Sequence, residues 1–334
     1  MRPCARTLAP DPRAVNTSHF FIFGAERSGT GLLARLISAH PAAFVLEEAG
    51  LFHALADAWR TREQEGLGRR FGALRGRGGN PMRAGAGFHE LQPPVLDGLP
   101  EAETPLTVGL VREFARQLRA RYRRSAEEGA QGGLYRAHLG RLDPRPWIDA
   151  AKRDELTVQG LLEAAHRALL PPEWMGASVL GEKSWAHLFL APWIGALQPA
   201  AVRIVLVRHP VANVAAIRAA SGGDLDTAIA RYKCFHMARF QRLYDAAHGL
   251  VLRYEDLVNA PGNALAAVRA RLGVLDFPLP APDPPFAAAE SAPLHPAEEA
   301  RVLDECGDVA KHFYPEISAP RSAPEDGRRR RRGG

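Results

Sequence analysis

Short apolar runs, each followed by a turn and then a stretch with helical spacing, dominate the hydrophobic pattern of the chain. Residues 19–23 read HFFIF, 202–207 read VRIVLV and 249–254 read GLVLRY, with a shorter run at Val179-Leu180. Runs that are apolar on both faces are typical of buried parallel strands. The alternation of such strands with helices predicts an α/β fold in three layers, with a central parallel sheet and helices on both faces.

The stretches between these runs carry apolar residues at helical spacing. One such pattern begins at Leu32, directly after a glycine-rich stretch, and another follows Arg208-His209-Pro210. Helices that end at a glycine or a proline are predicted at residues 106–128, 158–169, 226–248 and 264–272.

The amino-acid composition of the chain is that of a globular protein. The chain has 334 residues, 46% of them hydrophobic, which is enough for a globular core. The cysteines Cys4, Cys234 and Cys306 are few and far apart, so neither a disulfide framework nor a cysteine metal site is expected. No signal peptide and no apolar run of about 18 residues is visible. We therefore expect a cytoplasmic protein without a membrane span.

Three stretches have the composition of loose segments. Residues 66–87 hold eight glycines and five arginines, which predicts a flexible insertion rather than an RNA-binding segment. Residues 279–296 are rich in proline and predict an extended loop. The net charge of +6 is concentrated in residues 319–334, which end in GRRRRRGG. We expect one domain over residues 18–318 and a disordered basic tail after it, with no specific nucleic-acid partner.

Residues 24–31, GAERSGTG, resemble a phosphate-binding loop between a strand and a helix. A P-loop reads G-x-x-x-x-G-K-[ST], and Gly24 and Gly29 have that separation. However, Thr30 stands in the place of the lysine and Gly31 in the place of the magnesium-binding hydroxyl. Transfer of a γ-phosphate needs both groups. The loop therefore favours a donor with a single phosphate at its 5′ position and no metal.

The residues of this loop have the chemistry that an anion requires. Backbone N–H groups at the start of a helix point at a bound phosphate, and Gly29 lets the backbone come close. Ser28 and Thr30 add hydroxyl donors, and Arg27 supplies a planar fork of donors that matches phosphate or sulfate oxygens.

Four segments, in order, resemble the sulfotransferases that use 3′-phosphoadenosine-5′-phosphosulfate (PAPS). Residues 27–41, RSGTGLLARLISAHP, are similar to the 5′-phosphosulfate loop of that family, and residues 181–185, GEKSW, to a segment of its bacterial and carbohydrate-type members. Residues 204–217 resemble the strand-turn-helix that binds the 3′-phosphate, and residues 252–274 the closing R-Y-E-D-L segment. The resemblance implies a P-loop-like fold and sulfuryl transfer to a hydroxyl.

The resemblance also implies roles for residues. Glu47-Glu48 follows His40-Pro41 as a Glu-Glu pair does in the tyrosylprotein sulfotransferases, which implies that Glu48 is the catalytic base and Glu47 supports it. Glu47 is expected to point away from the site if the pair is extended. Lys183 and Arg27 would stabilise charge in the transition state. The donor-binding residues implied are Arg27, Ser28, Gly29, Thr30, Gly31, Leu32, Arg208 and Tyr254.

One position departs from the family pattern. Eight residues after Arg208 the family usually has a serine that shares the 3′-phosphate, and Ala216 stands there instead. Ser221 is out of register, Asn213 lies on another helical face, and Arg218 is a candidate to compensate.

The alternatives concern the base, the acceptor and the reaction. His187 and His53 are rival bases, each favoured as a structural residue. The acceptor is a hydroxyl of a glycan, lipid, small molecule or tyrosine, and the oligomeric state is left open. Five arginines on one predicted helix would attract an acidic acceptor, although a solvated charged face is the commoner arrangement: Arg112, Arg116, Arg119, Arg123 and Arg124. The other functions are a P-loop small-molecule kinase and a catalytically inactive nucleotide-binding protein.

Overall fold

The computed structural model describes residues 18–71, 98–128, 132–235, 249–273 and 292–318. Most of the predicted insertion, the greater part of the proline-rich loop, the second half of the helix predicted at 226–248 and the basic tail lie outside these ranges. None of the helices in the described ranges combines the length and the hydropathy that a membrane span needs.

The strands of the described residues form one parallel sheet of five strands in the order β2-β3-β1-β4-β5. All four pairings between neighbours are parallel. The apolar runs of the sequence supply the sheet, so the predicted α/β class is confirmed. The strands are β1 (Ser18–Gly24), β2 (Ala43–Glu47), β3 (Val179–Lys183), β4 (Val202–Val207) and β5 (Gly249–Arg253).

Helices connect the strands, and half of the twelve described helices lie where the apolar spacing predicted them. In chain order they are α1 (Thr30–Ser38), α2 (Leu51–Phe71), α3 (Val108–Glu128), α4 (Gly132–Arg141), α5 (Arg145–Lys152), α6 (Val158–Leu169), α7 (Ala191–Leu197), α8 (Pro210–Ser221), α9 (Leu225–Phe235), α10 (Tyr254–Asn259), α11 (Pro261–Leu272) and α12 (Pro296–Ala310). Short 3-10 turns follow at Pro172–Trp174, Trp185–Leu190 and Pro315–Ser318.

Some boundaries differ from the expected ones. α2 continues to residue 71 and so includes the first residues of the segment predicted as an insertion. α12 begins at Pro296, the last residue of the predicted proline-rich loop. Its N-terminus is closed by a capping box, in which His295 and Glu298 satisfy each other's backbone N–H groups.

The side chains of β1 alternate between two hydrophobic clusters, one on each face of the sheet. Phe21 and Phe23 pack in the cluster that contains residues of α2, α3, α6 and α7. Phe20 and Ile22 pack in the cluster that contains residues of α1 and α11. Helices therefore cover both faces of the sheet, as the three-layer prediction requires.

The candidate catalytic and binding residues lie together at one edge of the sheet. Because all five strands are parallel, their carboxyl ends meet there, and ligands of such sheets bind at that edge. The turn that contains Arg27 follows β1, Glu48 follows β2, Ser184 follows β3, Arg208 follows β4 and Tyr254 follows β5.

Candidate active site

The loop between β1 and α1 turns tightly enough to require its glycines. A Cβ on Gly24 would lie 2.5 Å from Ser28 Oγ and 2.8 Å from the carbonyl oxygen of Leu206. Gly29 has a φ of 97°, and a Cβ there would lie 2.3 Å from the ring of Tyr254. Arg27 also has a positive φ, 64°, which is unusual for a residue other than glycine. The conformation of the loop is therefore fixed by close contacts on more than one side.

Arg208, in the turn before α8, and Asn213, in α8, donate hydrogen bonds to backbone carbonyl groups of the loop. Arg208 Nη1 donates to the carbonyl oxygen of Arg27 at 3.1 Å. Asn213 is fully buried, and its Nδ2 donates to the carbonyl oxygen of Glu26 at 2.9 Å. The guanidinium of Arg208 lies over the ring of Tyr254, 4.4 Å from the ring centre. Of the predicted donor residues, Arg208 therefore contacts both Arg27 and Tyr254.

The loop has features that suit a bound phosphate. Ser28 Oγ is buried and has no hydrogen-bond partner among the described residues. Arg208 Nε is likewise buried without a partner there, although the other end of the guanidinium is bonded. Buried donors without partners are uncommon in folded proteins, and a ligand that accepts hydrogen bonds would satisfy both. Arg27 is exposed at the surface of the loop.

The second half of the site is an ion pair between the ends of β2 and β3. Lys183 Nζ donates to Glu48 Oε1 at 2.7 Å, and Ser184 Oγ donates to Glu48 Oε2 at 3.0 Å. The side chains of Lys183 and Glu48 are only 9% and 10% exposed. Ser184 was not singled out from the sequence, although it is the residue after Lys183. Both oxygens of Glu48 are therefore held in place.

Glu47 lies on the same side as Glu48, which corrects the expectation that it points away. Its Oε2 lies 3.7 Å from Lys183 Nζ and 3.6 Å from the position that a Cβ of Gly31 would occupy. The reason is the backbone of Glu48, whose φ of 51° ends the extended strand. Successive side chains point to opposite faces only while the backbone is extended, so this alternation stops at Glu48. Both carboxylates therefore face the lysine, with Glu47 nearer to the loop.

The two rival bases, His187 and His53, are both buried and lie next to each other. His187 is fully buried, and its Nε2 lies 3.2 Å from Oε1 of the equally buried Glu182. Burial is the largest influence and opposes the charge of Glu182, but His187, His166 and the backbone of Leu51 together outweigh it, so the pKa of Glu182 lies below its usual value. His53 is buried too, and its ring stacks on that of His187 with centroids 6.1 Å apart.

Helix α8 carries both Ala216, at the position of the family's serine, and Arg218, the candidate to compensate for it. Ala216 is buried in the helix. Arg218 Nη1 donates to Glu298 Oε1 of α12 at 2.8 Å, and the exposed Ser221 bonds back to the carbonyl oxygen of Arg218. Arg218 is therefore occupied by an acidic partner in another helix.

A short chain of hydrogen bonds braces the turn that carries Arg208. The backbone N–H of His209 donates to Glu255 Oε1 at 3.0 Å. Tyr314, from the C-terminal part of the described chain, donates its hydroxyl to Glu255 Oε2 at 2.8 Å. The ring of Tyr314 also meets that of His209 edge-on at 5.3 Å. Sequence reasoning missed Tyr314, because 59 residues separate it from Glu255.

The arginines of α3 divide into two groups. Those proposed to attract an acidic acceptor are exposed, and Arg116 forms an ion pair with Glu113 of its own helix. Arg121 lies on the inner side, where its guanidinium is 3.2 Å from the position of a Cβ on Gly50. Gly50 follows Glu48 by two residues, so Arg121 packs against the turn after Glu48. The arginines of α3 that are exposed to solvent are Arg112, Arg116, Arg119, Arg123 and Arg124.

Solved sulfotransferase structures resemble the chain along most of its length at low sequence identity. The sulfotransferase domain from the curacin biosynthetic pathway is 14% identical, covering 89% of this chain and 98% of that one, with a TM-score of 0.44. The sulfotransferase domain of the Synechococcus PCC 7002 olefin synthase is 16% identical, covering 91% and 97%, with a TM-score of 0.44. A sulfotransferase from Alicyclobacillus acidocaldarius is 14% identical, covering 91% and 96%, with a TM-score of 0.46.

A family model decides the assignment. No curated protein matches the chain significantly. The family model described as "Sulfotransferase family" matches residues 95–278, which is more than half of the 334 residues. The matched range contains Lys183, Arg208 and Tyr254 and begins after the loop and Glu48. On this match the chain belongs to the sulfotransferase family.

Proposed function

We propose that the protein transfers a sulfuryl group from PAPS to a hydroxyl group of an acceptor, with Glu48 as general base. The observation that carries the proposal is the buried pair of Lys183 and Glu48, 2.7 Å apart, at the edge of the sheet that also holds the phosphate loop. A base, a cation and an anion-binding loop are the groups that in-line transfer of a charged group requires.

The donor would bind across the loop and the turn after β4. The N–H groups at the start of α1, together with Ser28 and Thr30, would bind the 5′-phosphosulfate. Arg208 would bind the 3′-phosphate, as the resemblance implies, and the ring of Tyr254 supports its guanidinium. The donor-binding set proposed is Arg27, Ser28, Gly29, Thr30, Gly31, Leu32, Arg208 and Tyr254.

Transfer would proceed in one displacement. Glu48 accepts the proton of the acceptor hydroxyl as the acceptor oxygen bonds to sulfur. The bond between sulfur and the bridging phosphate oxygen breaks, and adenosine 3′,5′-bisphosphate leaves with the electron pair. Lys183 and Arg27 stabilise the negative charge that develops on the oxygens of the departing group. Ser184, which donates to the second oxygen of Glu48, keeps the carboxylate turned toward the lysine.

The two alternative functions differ from sulfuryl transfer in different ways: a kinase would use another donor, and an inactive binding protein would show no turnover. A kinase would need a cation and a metal-binding hydroxyl in the loop, where Thr30 and Gly31 stand. An inactive binding protein would bind adenosine 3′,5′-bisphosphate but sulfate no acceptor in a broad panel.

We expect adenosine 3′,5′-bisphosphate to raise the melting temperature of the protein and ATP with magnesium to leave it unchanged. A ligand at a hundred times its dissociation constant stabilises the folded state by about 2.7 kcal/mol. Differential scanning fluorimetry over a millimolar range of each nucleotide measures the shift. A flat response to the bisphosphate, or a larger shift with ATP and magnesium, would contradict the choice of donor.

The 3′-phosphate contact has its own control in the same experiment. Adenosine 5′-monophosphate lacks that phosphate, so its smaller shift isolates the contribution of the 5′ end. Arg208→Ala should reduce the shift given by the bisphosphate toward that given by the monophosphate. Equal loss for both nucleotides would mean that Arg208 acts only through its bond to the loop carbonyl of Arg27.

We expect Tyr314→Phe to weaken bisphosphate binding by about two- to tenfold, the range that corresponds to one lost hydrogen bond. The change removes the donor to Glu255 and loosens the turn that carries Arg208. Turnover at saturating PAPS should stay close to that of the parent, because Tyr314 has no contact with Lys183 or Glu48. Isothermal titration calorimetry with the bisphosphate measures the affinity, and an unchanged value would show that this brace has no part in donor binding.

A further inference from the structure

The turn that presents Glu48 is held in an uncommon backbone conformation. Glu48 has a φ of 51° and the next glycine, Gly50, one of 64°. A glutamate adopts the left-handed region rarely, and it persists there only when its surroundings fix it. One of these contacts is the backbone N–H of Glu48, which donates to the carbonyl oxygen of Lys183 at 2.7 Å.

Two buried side chains hold the carbonyl groups on either side of Glu48. Tyr122 of α3 donates its hydroxyl to the carbonyl oxygen of Ala49 at 2.6 Å. His138 of α4 has its Nε2 3.1 Å from the carbonyl oxygen of Glu47. The exposed fractions of Tyr122 and His138 are 0% and 1%, and their ring centroids are 5.2 Å apart. The two side chains therefore form one buried clamp on the turn.

The protonation of the clamp suits donation to carbonyl groups. Burial lowers the pKa of His138, which keeps the ring neutral near pH 7. A carbonyl oxygen only accepts, so the ring hydrogen lies on Nε2, and the buried Nδ1 has no hydrogen-bond partner among the described residues. Burial also raises the pKa of Tyr122 well above its usual value, so its hydroxyl keeps the hydrogen that it donates.

We propose that Tyr122 and His138 are positioning residues that set the carboxylate of Glu48 against Lys183. The inference rests on the proposed role of Glu48 as base. Backbone groups before, at and after Glu48 are each bonded, so the direction of its side chain is fixed by the clamp together with β3. Neither Tyr122 nor His138 touches the reacting atoms, and each acts through the turn between Glu47 and Ala49.

The clamp also connects the long segment between Glu48 and Lys183 to the proposed reaction, because both clamp residues come from that segment. α3 and α4 come from that segment and pack against each other. Their inner faces carry Tyr122 and His138, whereas the sequence drew attention only to the exposed arginines of α3. A shift of α3 against α4 would move Glu48 relative to Lys183.

The test is a double-mutant cycle on turnover that combines Tyr122→Phe with Glu48→Gln. Phenylalanine keeps the buried ring and removes only the hydroxyl. Turnover is measured as release of adenosine 3′,5′-bisphosphate from saturating PAPS, with 4-nitrophenol and with water as the acceptors. Misplacement of a catalytic group by about 1 Å costs up to about a hundredfold in rate. We expect Tyr122→Phe to lose about ten- to a hundredfold in kcat, with unchanged affinity for the bisphosphate.

The double variant separates positioning from a general effect on the fold. If Tyr122 acts through Glu48, Tyr122→Phe should cause no further loss in the Glu48→Gln background. An equal loss in both backgrounds, or no loss in the parent background, would overturn the proposal. Near-parental turnover of Glu48→Gln alone, or no bisphosphate release by the parent protein with any hydroxyl acceptor in a broad panel, would instead overturn the proposed function on which it rests.

His138 provides a second set of variants. His138→Phe keeps a buried ring without a donor, and His138→Gln keeps a donor of similar reach. We expect His138→Phe to lose about tenfold or more in kcat and His138→Gln to recover part of that loss, which a purely structural role would not produce. Equal turnover of the two variants would contradict a role for the bond to Glu47.

Discussion

Glu48→Gln is expected to lower turnover by about 10² to 10⁴-fold, the usual contribution of general-base catalysis. Glutamine keeps the size and the hydrogen-bonding reach of glutamate but does not accept a proton at neutral pH. Its amide still accepts from Lys183 or Ser184 through one oxygen, so the fold around the turn should survive. Affinity for adenosine 3′,5′-bisphosphate should change little, because Glu48 contacts the lysine and the serine rather than the loop.

Glu47→Gln is the matched control for this change. Glu47 carries the same side chain one residue away, but its carboxylate lies 3.7 Å from Lys183 Nζ, beyond hydrogen-bond distance, and nearer to Gly31. We expect a milder loss of turnover and a larger effect on donor affinity than for Glu48→Gln. Turnover of Glu48→Gln within a few-fold of the parent, with an acceptor that the parent sulfates, would refute Glu48 as the base.

The histidines give the opposite pattern if one of them is the base. His187→Asn or His53→Asn would then abolish turnover while Glu48→Gln stayed active. The dependence on pH adds a check, because a glutamate side chain ordinarily titrates at a lower pH than a histidine side chain. As a class, carboxylates stay deprotonated to a lower pH than imidazoles do. Activity should therefore persist at pH values where a histidine base would already be protonated.

The sheet and the phosphate loop were predictable because both depend on local sequence. Runs such as VRIVLV are apolar on both faces, and a strand covered by helices on both sides requires that composition. The glycines of GAERSGTG mark the turn by the same local logic, since Gly24 and Gly29 are the positions where a side chain would clash. Because parallel strands align their carboxyl ends, the order of strands and turns was enough to group Arg27, Lys183 and Arg208.

The finer geometry of the site was not predictable, because it depends on contacts between distant residues. Tyr122 lies 73 positions from Ala49, and His138 lies 91 from Glu47, so no local pattern connects them. The positive φ of Glu48 has no signature in the pair of glutamates itself, and it reverses the expected direction of Glu47. A buried tyrosine in an amphipathic helix is normally a core residue, and only its bonded hydroxyl distinguishes Tyr122.

Lys183→Ala is expected to remove transition-state stabilisation of about 2.7–4 kcal/mol, by analogy with the loss of one oxyanion-hole donor. The ammonium group is the cation closest to Glu48 among the described residues, and it is held at the end of β3 in a mostly buried position. Negative charge on the departing group would therefore lose a fixed partner in a site with little water. Single-turnover measurements with bound PAPS report this loss apart from donor binding.

In Lys183→Ala, the loss of transition-state stabilisation must be separated from the effect of leaving Glu48 without its cation. A buried carboxylate without a counter-ion costs stability even when a hydroxyl still donates to it, so Lys183→Ala should also lower the melting temperature. Lys183→Ala combined with Glu48→Gln removes the unpaired charge and should recover the melting temperature, but not the turnover. Arg27→Ala is the second comparison: Arg27 is exposed on the loop, and its loss should weaken bisphosphate binding more than Lys183→Ala does. Near-normal turnover of Lys183→Ala at full donor occupancy would show that the lysine only holds Glu48 in place.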